Sequence, residues 1–413
     1  MIAGPIFLSM HVTNTHRPPL RQRSHPASLR LASAAPAPPP AAGGPKGPLF
    51  NARRRLGLAL GATLVTVLCG TADAADFRWL VELTSDQHLD ALRLDDLDRD
   101  DLWSRLQPRR GRNLGYVRNE VRATLITAEP WRWSLLARQR ALAVVSQGAL
   151  ELARTVQTGA QPPDDTRWQV QVDYLGFAGA GGEVARLWSL GSGWQLELGL
   201  QALMLTRLHE RRGSGQASYD SLNQQYGVDL DSLETKKGLR YPFQRAYDSH
   251  GEGLLSRGSL AWRGESFDLG WRWADAGVLT WQGLPQQALR LNSDIRGVDS
   301  NGFVVYAPLI TGQNSQSRFV RRLRPFQSLD IAWREPGSGR WKLGLDVWPG
   351  YGRSLPSLAW QSSRSGDWRM GLGWRLHERR AELSLDWRDW SLHAGADVNG
   401  RSRWLGLGWQ ASR

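Results

Sequence analysis

Trp194-Gln-Leu-Glu-Leu-Gly-Leu-Gln-Ala-Leu-Met-Leu-Thr-Arg-Leu-His209 is the stretch whose reading decides the fold. Its even positions, Trp194, Leu196, Leu198, Leu200, Ala202, Met204, Thr206 and Leu208, are almost all apolar, whereas the odd ones include Gln195, Glu197, Gln201, Arg207 and His209. Successive side chains of a strand point to opposite faces, so this period of two gives one greasy face and one polar face.

The same pattern recurs toward the C-terminus. Leu329, Ile331 and Trp333 alternate with Ser328, Asp330 and Arg334; the turn Pro336-Gly-Ser-Gly339 follows, and then Trp341, Leu343, Leu345 and Val347 alternate with Lys342, Gly344 and Asp346. Trp368, Met370, Leu372, Trp374 and Leu376 stand against Arg369 and Arg375, and Ala381, Leu383, Leu385 and Trp387 against Glu382, Ser384, Asp386 and Arg388. These are consecutive hairpins. The composition agrees, because 21 Trp and 44 Gly suit short strands and turns better than helices. Beyond Ala75 no run of 18 apolar residues occurs, which excludes a helical membrane protein.

A soluble sandwich also alternates, and three features favour lipid over it. The apolar face continues from hairpin to hairpin. Tryptophans sit at strand ends (Trp341, Trp348, Trp368, Trp374, Trp387, Trp390, Trp404), where interfacial girdles place them. The opposite face carries ionisable groups that suit a wet lumen and would destabilise a dry core. The chain also ends on Trp404-Leu-Gly-Leu-Gly-Trp409, which resembles the terminal strand of outer-membrane barrels. That resemblance implies an aromatic assembly signal at Trp409, read by the barrel-assembly machinery; the departure is the tail Gln410-Ala-Ser-Arg413. The expected fold is therefore all-β: an antiparallel transmembrane barrel of about 12 to 16 strands over residues 75–413, with long polar extracellular or infolded loops.

Upstream, Asn51-Ala-Arg-Arg-Arg55 precedes the apolar run Leu56 to Leu68, and Ala72-Asp-Ala74 precedes Ala75. A basic segment, an apolar segment of about 13 residues and a small-residue cleavage site are the parts of a secretory signal peptide, 51–74, cut between Ala74 and Ala75. As a helix that run reaches only about 20 Å, too short to span a hydrocarbon core of about 30 Å. Residues 1–50, rich in Pro, Ala and Arg, are expected to be disordered or to reflect a start site assigned too far upstream. The single Cys, Cys69, falls inside the leader, so the mature chain has no disulfide. Of the net charge of +13, the leader holds eight basic groups against Asp73, which leaves a distributed +6 that argues against a nucleic-acid partner.

Few residues suggest chemistry. The polar segment 85–113 is expected as an insertion or short plug on the periplasmic side. Its Asp96-Leu-Asp98-Arg-Asp100-Asp101 run departs from a calcium loop at the sixth and twelfth positions, Asp101 and Gln107, and its carboxylates are expected to pair with Arg105, Arg109, Arg110 and Arg112. Polar loops are expected from Glu210 to Gly251 and from Gly283 to Gly302. Arg318, Arg321, Arg322 and Arg324 line a path for anions, grip lipopolysaccharide phosphates from outside, or solvate a loop. If Arg388-Asp389 is a two-residue turn, Ser384 faces His393 with Asp386 nearby, the parts of a nucleophilic triad that a polar lumen wall also assembles by chance. No metal spacing and no cofactor motif is apparent among His88, His209, His250 and His377.

The reading that follows is a Gram-negative outer-membrane channel for small solutes or an anionic polymer, set in lipid and lipopolysaccharide. The alternatives are a non-conducting structural or surface-binding barrel linked to envelope or polysaccharide assembly and, more distantly, an outer-membrane hydrolase.

Overall fold

A computed structural model describes residues 78–127, 130–293, 296–298, 304–306, 309–335, 339–363 and 365–412. The expected leader, its cleavage pair Ala74 and Ala75, and residues 1–50 lie outside the described residues. The strands are β1 (Arg78–Leu89), β2 (Arg112–Ile126), β3 (Trp131–Ser146), β4 (Thr166–Gly191), β5 (Trp194–Asp220), β6 (Gln225–Lys236), β7 (Gly251–Arg263) and β8 (Phe267–Asn292). A small pair, β9 (Arg296–Val298) and β10 (Val304–Tyr306), follows. Then come β11 (Ile310–Leu323), β12 (Phe326–Glu335), β13 (Gly339–Val347), β14 (Ser354–Gln361), β15 (Trp368–Arg375), β16 (Arg380–Trp387), β17 (Trp390–Asp397) and β18 (Ser402–Ser412). No helix among the described residues is long and apolar enough to cross a membrane.

Every neighbour in the wall is antiparallel, and β18 returns to pair with β1, Val81 opposite Trp409 and Arg78 opposite Ser412. Two places in the wall are held by broken strands. β6 and β7 both lie between β5 and β8, and β11 and β12 both pair with β8, separated by Arg324-Pro325. The result is a closed barrel of 14 strands. Closure of β18 on β1 joins the wall edge to edge, which is what lets a sheet sit in lipid, while β11, which among the described residues pairs with β8 alone, leaves one edge free above β13.

The two ends differ. Both described termini lie at one end, together with short connections such as Ser192-Gly193 and Arg388-Asp389. At the other end β4, β5 and β8 run to 26, 27 and 26 residues while β14 to β17 have 8 each, so a tall lip stands over a low rim. This corrects the expected loops. Most of Glu210–Gly251 is β5 and β6, and β8 carries the chain to Asn292, because above the membrane both faces of a strand are wet and alternation fades while the ladder persists. The connection after β1 is 90–111, narrower than 85–113, and it lies at the lip end rather than with the short turns.

One helix, α1 (Gln147–Thr158), was not expected from the strand pattern. Its start is nonetheless written locally: Ser146 Oγ accepts from the Ala149 amide, and Gly159 follows the last turn at φ 66°.

Outside, the apolar face forms a belt: Met370, Leu372, Leu383, Leu392 and Leu405 are each about half exposed, a surface that water would penalise and lipid solvates. Eight residues at about 3.3 Å, tilted by about 40°, cover roughly 20 Å of membrane normal, so the low side falls short of the apolar band of about 25 Å usual for such barrels. Tryptophans pair across strands near the terminal end: Trp333 with Trp341 at 6.2 Å, Trp368 with Trp387 at 5.4 Å and Trp390 with Trp409 at 6.2 Å. Two expected girdle members face inward instead. Trp348 is buried, and Trp404 lies 5.2 Å from His393.

Two outcomes follow. Leu372→Arg, near mid-belt, is expected to cost about 2–4 kcal/mol of folding free energy from bilayers, read by reversible denaturant titration. Because Trp409 meets neighbours on both sides of the closing strand, Trp409→Ala should lower the yield of the heat-modifiable folded band; an unchanged yield removes its assembly role.

Candidate functional site

The lumen is the site, and its wall alternates as the pattern requires. Trp194 to Met204 keep their even residues outside. A bulge opposite Ala178 and Gly179 then shifts the register, so Leu208, expected outside, turns in beside Leu203 and Leu205.

Near the terminal end Asp268 holds Arg340 at 2.8 Å and also Arg334, and Asp330 holds Arg272 at 3.2 Å and Lys342 at 3.3 Å, around a cavity of about 390 Å³. A second hollow of about 270 Å³ adjoins it through Arg340 and Lys342. Higher up the lumen is packed. Glu183 sits between Arg122 (2.7 Å) and Arg257 (2.6 Å); Asp275 takes both Arg138 and Arg140; Arg380 reaches Asp86 (2.7 Å) and Glu382 (2.8 Å). A buried charge is tolerated only with its partner, and here all the partners but Glu382, which shares β16 with Arg380, come from different strands and tie the wall together across the lumen. Beside them Phe177, Leu205, Leu279, Trp281 and Phe319 make an apolar cluster inside the barrel.

Above this layer the turn 348–353 folds inward from the low rim. Trp348 stacks on Tyr116 (4.3 Å between centroids, 18° between planes) and tilts against Phe326 at 4.7 Å, with Arg118 4.9 Å from the Phe326 ring. Gly350 at φ 78° and Gly352 at φ 76° supply the left-handed turns that aim Trp348 and Tyr351 inward. The infolded loop is thus the short turn after β13.

Over that floor opens a vestibule of about 690 Å³ lined by Arg140, Arg212, Arg321, Arg322 and Arg324, with Asp173 the one carboxylate among its lining residues. It shares Asp173 and Arg212 with a hollow of about 760 Å³ on the inner face of the lip. The expected arginine cluster is therefore divided. Arg321 faces in, 3.4 Å from Glu210 and 3.8 Å from Asp173; Arg322 and Arg324 border the vestibule; Arg318 shares the outward face with Val320, which is 54% exposed.

Segment 90–111 closes over the low rim. Leu92, Leu94, Leu97, Leu102 and Leu106 are buried beneath it. Its anchor is Asp90, whose Oδ1 meets Arg109 at 2.6 Å, His377 at 2.9 Å and His88 at 3.0 Å, while Oδ2 accepts from the Leu114 amide at 2.8 Å. Sequence reading passed over this anchor. The alternation Asp86-Gln-His88-Leu-Asp90 marks one face, but His377 lies 287 residues from Asp90 and nothing local points to it. Burial alone would raise the Asp90 carboxyl, yet hydrogen bonds from His377 and His88 outweigh it and hold the group well below the usual carboxylate range. Burial and the Asp90 charge push Tyr351 up to about 12.

His88, Asp90 and His377 present ligand atoms within 4.8 Å of one another, but Arg109 already supplies the positive charge a metal ion would bring. In the acidic run Asp96 and Asp101 both meet Arg105, at 3.4 and 2.7 Å. Ser384 faces His393 and Asp386 faces Ser391 in the anticipated register; among the described residues no hydrogen bond joins Ser384, His393 and Asp386, and His393 lies against Trp404.

No family model matches the chain, and no curated protein does. Solved structures with similar architecture include the Pseudomonas putida toluene transporter TodX (9% identity, 83% of this chain and 89% of that one, TM-score 0.36) and a Pseudomonas aeruginosa FadL homologue (10%, 81% and 88%, TM-score 0.35). The translocator domain of the autotransporter NalP from Neisseria meningitidis is similar at 8% identity, 87% and 98% coverage and TM-score 0.27. At such scores the likeness stops at the barrel and says nothing of cargo. The closed ladder, lipid-facing belt and paired tryptophans make the chain an outer-membrane β-barrel of the Gram-negative type.

The Asp90 anchor makes a pH prediction. A carboxylate depressed in the folded state contributes stability above its unfolded value of about 3.9 and loses it as pH falls below that. Proteolysis within 95–105 should be slow at pH 6 and quicken progressively as pH falls below about 4, and Asp90→Asn should already be fast at pH 6. Slow cleavage of the variant at pH 6 would show that the segment is held by other contacts.

Proposed function

We propose that this barrel is an outer-membrane channel for anionic solutes or an anionic chain, closed in this conformation by the Trp348 turn and by segment 90–111. The observation that carries the reading is the sequence of basic hollows along one lumen. The lip hollow and the vestibule open outward past Arg212, Arg321, Arg322 and Arg324, and below the packed layer a second chamber holds Arg272, Arg334, Arg340 and Lys342 against Asp268 and Asp330. Cationic linings concentrate anions. Opening needs only a side-chain or turn movement in the middle, because the plug there is made of side chains and a turn and the wall stays closed through β18 and β1.

A second reading is a barrel that conducts nothing and serves envelope assembly or surface binding. The cross-lumen pairs of Arg122, Glu183, Arg257, Arg138 and Asp275 favour it, since they brace the wall as a structural barrel would require.

Planar-bilayer recording separates the two. For a channel, Trp348→Ala should raise open probability or conductance several-fold, with a reversal potential on the anion side that weakens with salt as the Debye length falls from about 10 Å at 0.1 M to about 3 Å at 1 M. Replacing Arg321, Arg322 and Arg324 with Gln should move it toward cations. Silence of both wild type and Trp348→Ala would establish the non-conducting barrel.

A further inference from the structure

The wall between β5 and β8 is interrupted where β6 ends at Lys236 and β7 begins at Gly251. The ends of the intervening segment, 237–250, sit in that gap, where Trp281 donates to the Asp248 carbonyl at 2.8 Å and Lys237 Nζ meets the Thr206 carbonyl at 3.2 Å, and the residues between them cross the outside of the barrel. Gln316, opposite Pro285 on the outward face, brackets the Arg245 backbone, accepting from its amide at 2.6 Å and donating to its carbonyl at 2.8 Å. Tyr241 donates to the Ser315 carbonyl at 2.7 Å, and Tyr247 packs on Gly283. The segment is thus strapped over β8 onto β11 at a definite height. Just below it the outward wall is Met204, Leu254 and Val320, each about half exposed, and this is the upper edge of the apolar belt.

Two properties of the strap bear on what it can bind. Phe243 is fully exposed at 101% and is held at φ 63°, a backbone region that a phenylalanine adopts only against a steric cost. Arg240 and Arg245 are exposed, and they and the outward Arg318 have no carboxylate partner among the described residues, whereas Arg122, Arg138 and Arg380 of the packed lumen are tied to Asp or Glu. Three uncompensated guanidiniums and a protruding ring at the lipid–water boundary are complementary to an anionic head group whose acyl chains run down the belt.

We infer that the strap, with Arg240, Arg245, Arg318 and Phe243, is a docking site on the outer wall for a phosphorylated glycolipid of the outer leaflet. The inference rests on the membrane placement of the barrel and is independent of conduction, so a silent barrel that retains lipid would leave it standing.

The test equilibrates the full folded chain in detergent with lipid A bearing two phosphates and counts bound lipid by native mass spectrometry. The wild type should retain it, lipid A stripped of phosphate should dissociate, and Arg240→Gln/Arg245→Gln/Arg318→Gln should weaken binding on the order of 100-fold, as expected for three basic groups at an anionic surface. The Lys triple variant should restore most of the affinity, and Phe243→Ala should weaken binding with the charges intact. Heat-modifiable mobility checks that each variant is folded; if the Gln variant fails to fold, the Phe243 variant and the phosphate-free lipid decide. Equal binding of both lipids, or undiminished binding by the folded Gln variant, overturns the inference. A wild type that takes up no lipid A and migrates as a dimer would assign the strap to contact between copies of this chain.

Discussion

In hydrocarbon a backbone N–H without a partner costs several kcal/mol, and the pairing of β18 with β1 is what removes that cost for the whole wall. Everything else is subordinate to closure. Broken strands occur at two places, where two pieces share one position in the wall, β6 with β7 between β5 and β8, and β11 with β12 along β8. The wall therefore admits insertions while the barrel stays closed through β18 and β1, and both the outer strap and the Arg324-Pro325 break use that allowance.

Closure also turns one strand face inward, where it must be wet, filled or paired. This chain does all three. Basic hollows occupy the ends, an apolar cluster and the Trp348–Tyr116 stack fill part of the middle, and salt bridges between distant strands neutralise the rest. The pairs are built largely from arginine, whose fixed fork reaches two acceptors at once, as Arg380 does with Asp86 and Glu382. A lumen braced in this way resists collapse, and the Trp348 turn, held mainly by ring contacts, is the softer element within it.

Much of the fold was legible because lipid imposes a period of two, and Trp194 to Met204 and the C-terminal hairpins follow it faithfully. The legibility failed where lipid stops acting. Above the belt β5 and β6 are polar on both faces and read as a loop. At the bulge beside Ala178 a one-residue shift moved Leu208 inside without any local signal. Trp348 and Trp390 both sit at strand ends, yet Trp348, just past β13, is carried inward by its turn and buried, whereas Trp390 opens β17 on the outward face. Of the arginine cluster, strand parity already separates Arg318 from Arg321, but the carboxylates of Glu210 and Asp173 that meet Arg321 arrive from distant strands. The Asp90 anchor was out of reach for the same reason.

The unequal wall has a consequence for the surrounding bilayer. The apolar outward run spans the 8 residues of each of β14 to β17 but reaches from Trp194 to Met204 on β5, so lipid meets different hydrophobic heights around a single circumference. A membrane meeting such a body either thins beside the short strands or lets the whole barrel lean, and each costs fractions of a kcal/mol per ångström of mismatch. Neighbouring lipids are thereby stretched on one flank and compressed on the other. Proteins or lipid species that relieve the deformation would gather preferentially against β14 to β17, giving the molecule a preferred side in a crowded membrane before any specific contact is made.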